Sequence, residues 1–506
     1  MQGLAVQEWL ERGRAQVLRG DTVSALATFA AAHAEHPHDV EIALAHAGLL
    51  WDRGDAAAAE SILRASLQRE PGHVAATLLL ARVLFAQSRT GAAERAFRDL
   101  LAAVEIDVET RIRIIELLDE HGCERAASEI AEAGLEKDDD TRLHAYAGML
   151  AVQTGAFEVA RAHYARAMRD DPRALDWHAP YGYVSSKRYA SADDPDFAWL
   201  RELAQRPDMK PRSRASLLFA LGKMHDDVSR FEAAAAFFRE ANAIAAAEAG
   251  WSRKNWRRLV ATRLDARAPV SAAQVDESFR PVFVVGLPRS GTTLIADWLG
   301  RVPGACNRGE LDAIAGIAQE ISRARSVTAD TVAHAARRYR TEVRRDDGEA
   351  TWYIDKQPLN FLQVDLILAL FPNARFVYCR RNARDTALSI WMQYFAGRAQ
   401  DFAYDFADIE AVGQGCAKLM GAALRKYPHA VFECRYEAFV QDPAARAAEL
   451  ARWIGMPVAP ASEPDPGTII RTASAWQARQ PVHTRSIGRW RDYAPFVPEL
   501  LRFADD

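Results

Sequence analysis

The sequence predicts an all-α solenoid followed by an α/β three-layer domain with a parallel sheet, and three observations carry that prediction. Small residues recur every 34 positions, at Gly20, Gly54, Ser88 and Gly122, with Gly155 one residue short of the next interval. In the second half, short apolar, β-branched runs each end in a polar turn and lead into a helical pattern, the alternation that a parallel sheet requires. The clearest of them, Pro281 to Gly300 (PVFVVGLPRSGTTLIADWLG), passes from strand to tight loop to a helix with Leu294, Ile295, Trp298 and Leu299 at helical spacing.

The repeat extends beyond the glycines. Five residues after each small residue stands an alanine (Ala25, Ala59, Ala93, Ala127, Ala160), and nine residues after it stand Phe29, Leu63, Phe97, Ala131 and Tyr164. Pro37, Pro71 and Pro172 follow at the seventeenth position. A turn at the small residue and a stop at the proline describe two antiparallel helices per unit. This resembles the tetratricopeptide repeat, with units starting near 3, 37, 71, 105 and 138. The stretch of about 174–211, rich in proline and polar turns, breaks the period as an irregular insertion, and Leu221 to Ser229 followed by Ala234, Phe238 and Ala241 restores it. Stacked units of this kind leave a concave face that either binds a protein or peptide or only packs against the rest of the molecule. The solenoid is expected over 1–250, a helix and linker over 251–275, and the α/β domain over 276–506.

The chain as a whole narrows the classes of function. Its 506 residues, 49% hydrophobic and 26% charged, can fill two or three proper cores. A net charge of -4 argues against a general nucleic-acid binder. The first residues mix Glu8, Glu11, Arg12 and Arg14 among apolar positions, so no secretory signal is expected, and the absence of any long apolar run predicts no transmembrane segment. Five scattered cysteines without C-x-x-C spacing fit a reduced, metal-free, cytoplasmic protein.

The loop Gly286-Leu-Pro-Arg-Ser-Gly-Thr-Thr293 carries the chemistry. It sits at a helix start, where backbone N–H groups lack intrahelical partners and the helix dipole is positive, so an anion belongs there. Gly286 and Gly291 allow close backbone approach, Arg289 adds a cation, and Ser290, Thr292 and Thr293 offer hydroxyls. The loop resembles a Walker A motif except that Thr292 stands where the lysine should be, which counts against an ATPase or kinase. VVGLPRSGTT resembles more closely the 5′-phosphosulfate-binding loop of sulfotransferases, which use 3′-phosphoadenosine 5′-phosphosulfate (PAPS) as donor and have no lysine there.

That resemblance assigns roles further along the chain. Glu310, about twenty residues past Arg289, matches the catalytic base of the tyrosylprotein sulfotransferases, although a single glutamate precedes Leu311 where those enzymes often show two acidic residues. Helix capping is the other use open to Glu310, and Asp312 would serve there equally. Asp355-Lys356-Gln-Pro-Leu-Asn360 matches the family's D-K-x-P-x-N motif, whose lysine contacts the sulfate; the alternative is a solvated surface lysine. Arg381 and Ser389, spaced R-x(7)-S after a strand, match the family's 3′-phosphate motif, with Asp385 as an N-cap partner of the intervening helix. Arg435-Tyr436-Glu437 resembles a turn whose tyrosine lies near the nucleotide. In the segment Thr472 to Trp490, Ser474 corresponds to a serine on the sulfate and Arg485 to a 3′-phosphate contact.

Taken together, the resemblance implies transfer of a sulfuryl group from PAPS to a hydroxyl or phenol, with peptide tyrosine among the acceptors and no metal required. Glu310, Lys356 and Ser474 would be catalytic. Arg289, Ser290, Gly291, Thr292, Thr293, Arg381, Ser389, Tyr436 and Arg485 would bind the donor. A P-loop phosphotransferase, or a protein-binding adaptor with an inactive domain of this kind, are the alternatives.

Overall fold

The computed structural model describes residues 5–177, 179–266, 275–324, 326–346, 348–395, 397–458, 476, 479–480 and 482–505. Contacts divide the chain into two compact units, Met1–Leu143 with Thr341–Gly348, and His144–Arg340 with Glu349–Asp506.

The first unit is built from helix pairs: Val6–Leu18 with Thr22–Glu35, Val40–Asp52 with Ala56–Leu67, Val74–Ala86 with Thr90–Ala103, and Val108–Glu120 with Glu124–Leu135. The turn within each pair explains the periodic small residue. Gly20, Gly54, Ser88 and Gly122 take φ of 76°, 85°, 57° and 77°, the left-handed region that a larger side chain enters at a cost. Ala25, Phe29, Ala59, Leu63, Ala93, Phe97, Ala127 and Ala131 are all buried in the stack. Asp21, Asp39, Asp55 and Asp107 cap their helices by accepting from Ser24, Ile42, Ala58 and Thr110 N–H. Arg89 cannot do so for Thr90–Ala103, and Asp346 substitutes, accepting from Gly91 N–H at 2.8 Å and Ala92 N–H at 3.2 Å.

The second unit opens with further helices. The irregular insertion folds into a 3-10 turn (Pro172–Trp177) and helices Ala179–Ser185 and Pro195–Ala204. Asp196 ties it together, accepting from Arg161 at 2.7 Å and from the Tyr183 and Tyr189 hydroxyls at 2.8 Å each. The regular pair returns with Pro211–Asp227 and Phe231–Glu248, turning at Ser229 (φ 60°) and burying Ala234, Phe238 and Ala241.

The sheet of this unit has five parallel strands, β1 (Arg280–Gly286), β2 (Ala305–Asn307), β3 (Trp352–Asp355), β4 (Arg375–Arg380) and β5 (Val431–Arg435), in the order β2-β3-β1-β4-β5. Strand side chains alternate between two buried faces, which is why β1 reads as an unbroken apolar run. Val282, Val284, Val377 and Cys379 pack on one side with Ile295 and Leu299 of helix Thr292–Gly300 and with Phe439 and Leu450. On the other side Phe283 stacks on Phe376 at 5.4 Å and approaches Tyr339 at 5.9 Å. Helices on both faces leave the carboxyl edge of the strands open for a ligand. No helix among the described residues is long and apolar enough to cross a membrane.

Candidate active site

Gly286, the last residue of β1, is level with Cys379 of β4, so the loops that follow these central strands emerge side by side. The loop after β1 turns through left-handed conformations at Arg289 (φ 68°) and Gly291 (φ 100°) before helix Thr292–Gly300 begins. Both glycines are sterically required. A Cβ on Gly286 would lie 2.5 Å from the Cys379 carbonyl oxygen, and one on Gly291 would lie 2.5 Å from the Tyr436 ring. Ser290 closes the turn: its hydroxyl donates to the Leu287 carbonyl at 2.7 Å, and the residue does not line the cleft.

The cleft above this edge has a volume of about 520 Å³, within the usual range for a nucleotide-sized ligand. Of the residues singled out in the sequence, Arg289, Gly291, Thr292, Thr293, Arg381, Ser389, Tyr436 and Arg485 line it. Arg289 Nε donates to the Ser389 hydroxyl at 3.1 Å. Arg381 donates to the Arg289 carbonyl at 3.1 Å and to the Ser486 carbonyl at 2.7 Å, with its guanidinium 4.9 Å from the Tyr436 ring centroid. The Tyr436 hydroxyl hydrogen-bonds to Ser486 Oγ at 2.7 Å.

Two guanidinium groups are thus gathered in a desolvated place. Burial, with Arg381 adding to it, pushes the Arg289 pKa down to about 10, and burial also lowers that of Arg381. At about 10, Arg289 still carries its charge at neutral pH. Arg381 Nε is buried without a hydrogen-bond partner among the described residues. A buried cation with an unused donor, beside a hydroxyl and a helix N-terminus, is stabilised by an anion bearing several oxygens, and a phosphate supplies that chemistry.

The C-terminal segment crosses the cleft and is held on two sides. Gly488 and Trp490 N–H donate to the Asp385 carboxylate at 2.6 and 2.9 Å, while Arg489 and the Tyr493 hydroxyl both bond to Asp226 of helix Pro211–Asp227. The expected capping role of Asp385 is therefore corrected. Asn382 precedes helix Ala383–Trp391 and accepts from Arg384 and Asp385 N–H at 3.1 Å each, leaving the Asp385 carboxylate for the crossing segment. Glu437 accepts from Asn382 N–H at 2.8 Å, so Arg435-Tyr436-Glu437 braces the same turn. Asp226, Ser486 and Tyr181 also line the cleft, and no spacing in the sequence marked them. Ser474 lies outside the described residues.

Glu310 and Lys356 form a second group. Phe283 pairs with Asp355, the last residue of β3, which puts Lys356 just beyond the strand at the carboxyl edge. Its side chain is only 3% exposed and is ion-paired with Glu310. Burial lowers the Lys356 pKa and Glu310 opposes that shift. Behind it, Asp355 is fixed by the Tyr339 hydroxyl at 2.8 Å and Gln357 N–H at 3.2 Å. The Glu310 carboxylate is engaged by Lys356, and helix Ala313–Arg323 starts after Asp312 without a side-chain cap. The pair does not line the 520 Å³ cleft, so the predicted residues separate into a cleft-lining group around two arginines and an ion pair of buried Lys356 with half-buried Glu310.

Residues 281–460 match the family model described as the sulfotransferase family, and residues 50–104 match a tetratricopeptide-repeat model. An uncharacterized protein of Aquifex aeolicus (strain VF5) is 25% identical over 343 residues, 62% of this chain; the chain spans 44% of that relative's length. Among solved structures, the sulfotransferase domain from the curacin biosynthetic pathway is 15% identical, covering 48% of this chain and 100% of that one with a TM-score of 0.32. A sulfotransferase from Alicyclobacillus acidocaldarius is 14% identical, covering 46% and 95% with a TM-score of 0.28. A tetratricopeptide repeat protein from Parabacteroides merdae is 16% identical, covering 51% and 97% with a TM-score of 0.30. The family models therefore place a tetratricopeptide repeat within residues 50–104 and a sulfotransferase-family domain over residues 281–460.

Proposed function

We propose that the protein transfers a sulfuryl group from PAPS to an acceptor hydroxyl or phenol, with a peptide tyrosine as the acceptor class that a helical-repeat surface favours. One observation carries this reading: Arg289 and Ser389 meet at 3.1 Å beside the buried, unused Nε of Arg381. The lysine-less loop and the R-x(7)-S pair then act on one bisphosphate nucleotide. Arg289, Gly291, Thr292 and Thr293 hold the 5′-phosphate, Arg381 and Ser389 with Arg485 hold the 3′-phosphate, and Tyr436 supports them from below.

Glu310 and Lys356 divide the chemical step. The acceptor oxygen forms a bond to sulfur as the bond from sulfur to the phosphate's bridging oxygen breaks. Glu310 takes the acceptor proton, and Lys356 neutralises the negative charge left on the bridging oxygen. Their ion pair suits these roles. Without an anion beside it, the buried lysine needs Glu310 as counter-charge; a sulfate against Lys356 supplies that charge and releases the carboxylate to act as base. Ser474 is assigned to the sulfate on resemblance alone.

Titration with 3′-phosphoadenosine 5′-phosphate, with ATP/Mg²⁺ in parallel, tests the donor class. Binding of the bisphosphate with at least tenfold preference over ATP/Mg²⁺ is expected. Preference for ATP/Mg²⁺ would replace sulfuryl transfer by phosphoryl transfer.

A further inference from the structure

We propose that Tyr181, which lies a hundred residues ahead of the phosphate loop, is a donor-recognition residue whose hydroxyl hydrogen-bonds the 3′-phosphate held by Arg381 and Ser389. The proposal rests on the reading of the cleft as a bisphosphate-nucleotide site. Tyr181 belongs to helix Ala179–Ser185 in the irregular part of the helical segment, and it lines the same cleft as Arg289, Arg381 and Ser389.

Packing rather than ligand sets the ring's position. Its ring meets Phe219 at 6.4 Å and Tyr394 at 6.2 Å, edge-on at interplanar angles of 82° and 64°. Its helix is anchored two residues on, where the Tyr183 hydroxyl donates to Asp196 at 2.8 Å. The phenol is thereby pre-positioned, its oxygen bonded by Ser185, Gln393 and the Tyr394 backbone, with the Arg289 guanidinium close by. Burial pushes the Tyr181 pKa up against the opposing pull of Arg289, so the hydroxyl keeps its proton at neutral pH. A protonated phenol beside the Arg289 guanidinium adds a donor to the cleft without adding charge. A third arginine in its place would have raised the repulsion that already lowers Arg289.

The test uses the full chain and two nucleotides, 3′-phosphoadenosine 5′-phosphate and adenosine 5′-phosphate, titrated into wild type and Tyr181→Phe. Loss of a hydrogen bond to a charged group predicts about tenfold weaker binding of the bisphosphate, with the affinity for adenosine 5′-phosphate unchanged. A variant that binds both nucleotides as wild type does, or loses affinity for both equally, overturns the proposal, because a purely structural tyrosine does not sense the 3′-phosphate. A double-mutant cycle with Ser389→Ala gives a second reading. Combined losses smaller than the product of the single losses are expected if both hydroxyls hold one phosphate, and multiplicative losses overturn the assignment. If wild type itself fails to distinguish the two nucleotides, the donor assignment falls and the role of Tyr181 falls with it.

Discussion

Arg289 Nε and the Ser389 hydroxyl meet at 3.1 Å, although they stand a hundred residues apart on the loops and helices that follow two neighbouring strands. The contact joins the loop after β1 to the helix after β4 at the floor of the cleft that both line.

Arg381→Ala removes the guanidinium with the unused donor and the bonds to the Arg289 and Ser486 carbonyls. Bisphosphate affinity should fall by about 10- to 150-fold, the worth of one hydrogen bond to a charged group. Titration at two salt concentrations checks it: the wild-type affinity should fall more steeply with salt than that of the variant.

Gly291→Ala forces a Cβ to within 2.5 Å of the Tyr436 ring at a backbone φ of 100°. Strain at such a position costs about 1–3 kcal/mol. The displaced ring also loses its hold on Ser486 and its place beside Arg381. A lowered thermal midpoint together with weakened bisphosphate binding is expected, and a melt and a titration on the same preparation measure both.

Glu310→Gln removes the counter-charge of a lysine that is 3% exposed. If Glu310 is the base, turnover should fall by about 10²- to 10⁴-fold; unchanged turnover would reject that role. The substitution also changes stability against pH. Burial already places the Lys356 pKa below 10.5, so between the lowered value and 10.5 the unfolded chain binds more protons than the native one, and stability rises with pH across that window. Without Glu310 the window extends further down, and urea denaturation between pH 7.5 and 9.5 should show a steeper gain in the variant than in wild type.

His33 and His46 lie with ring centroids 5.6 Å apart in the first unit, and burial lowers the pKa of each from 6.5, helped by Arg69 for His33 and by His33 for His46. Between the lowered values and 6.5 the unfolded state holds the extra protons, so stability climbs with pH through this window and levels off above it. Acidification from pH 7 to pH 5 should therefore shift the denaturation midpoint downward, and His46→Phe should reduce that shift.

Where the backbone itself demanded a residue type, the sequence was legible. A left-handed turn requires a small residue, so Gly20, Gly54, Ser88 and Gly122 marked the helix pairs. The loop after β1 tolerates no Cβ at Gly286 or Gly291, so its glycines marked the carboxyl edge of that strand. Arg381 and Ser389 were readable because strand and helix fix their separation. Residues brought in by packing left no such trace. Tyr181 and Asp226 come from helices whose spacing reflects their own stacking, and Asp346 caps a repeat helix from more than 250 positions away. Ser290 shows the opposite limit: its hydroxyl counted as a ligand group by type, yet the turn geometry directs it to Leu287.

The segment held between Asp385 and Asp226 has a consequence for synthesis. Its anchors Gly488, Arg489, Trp490 and Tyr493 are translated some two hundred residues after the loop that follows β1. Domains fold as units while the chain is still being made, but this one stays open on one side until those anchors emerge. A nascent chain paused before residue 488 would present the loop, the two arginines and Tyr181 without the strap across them.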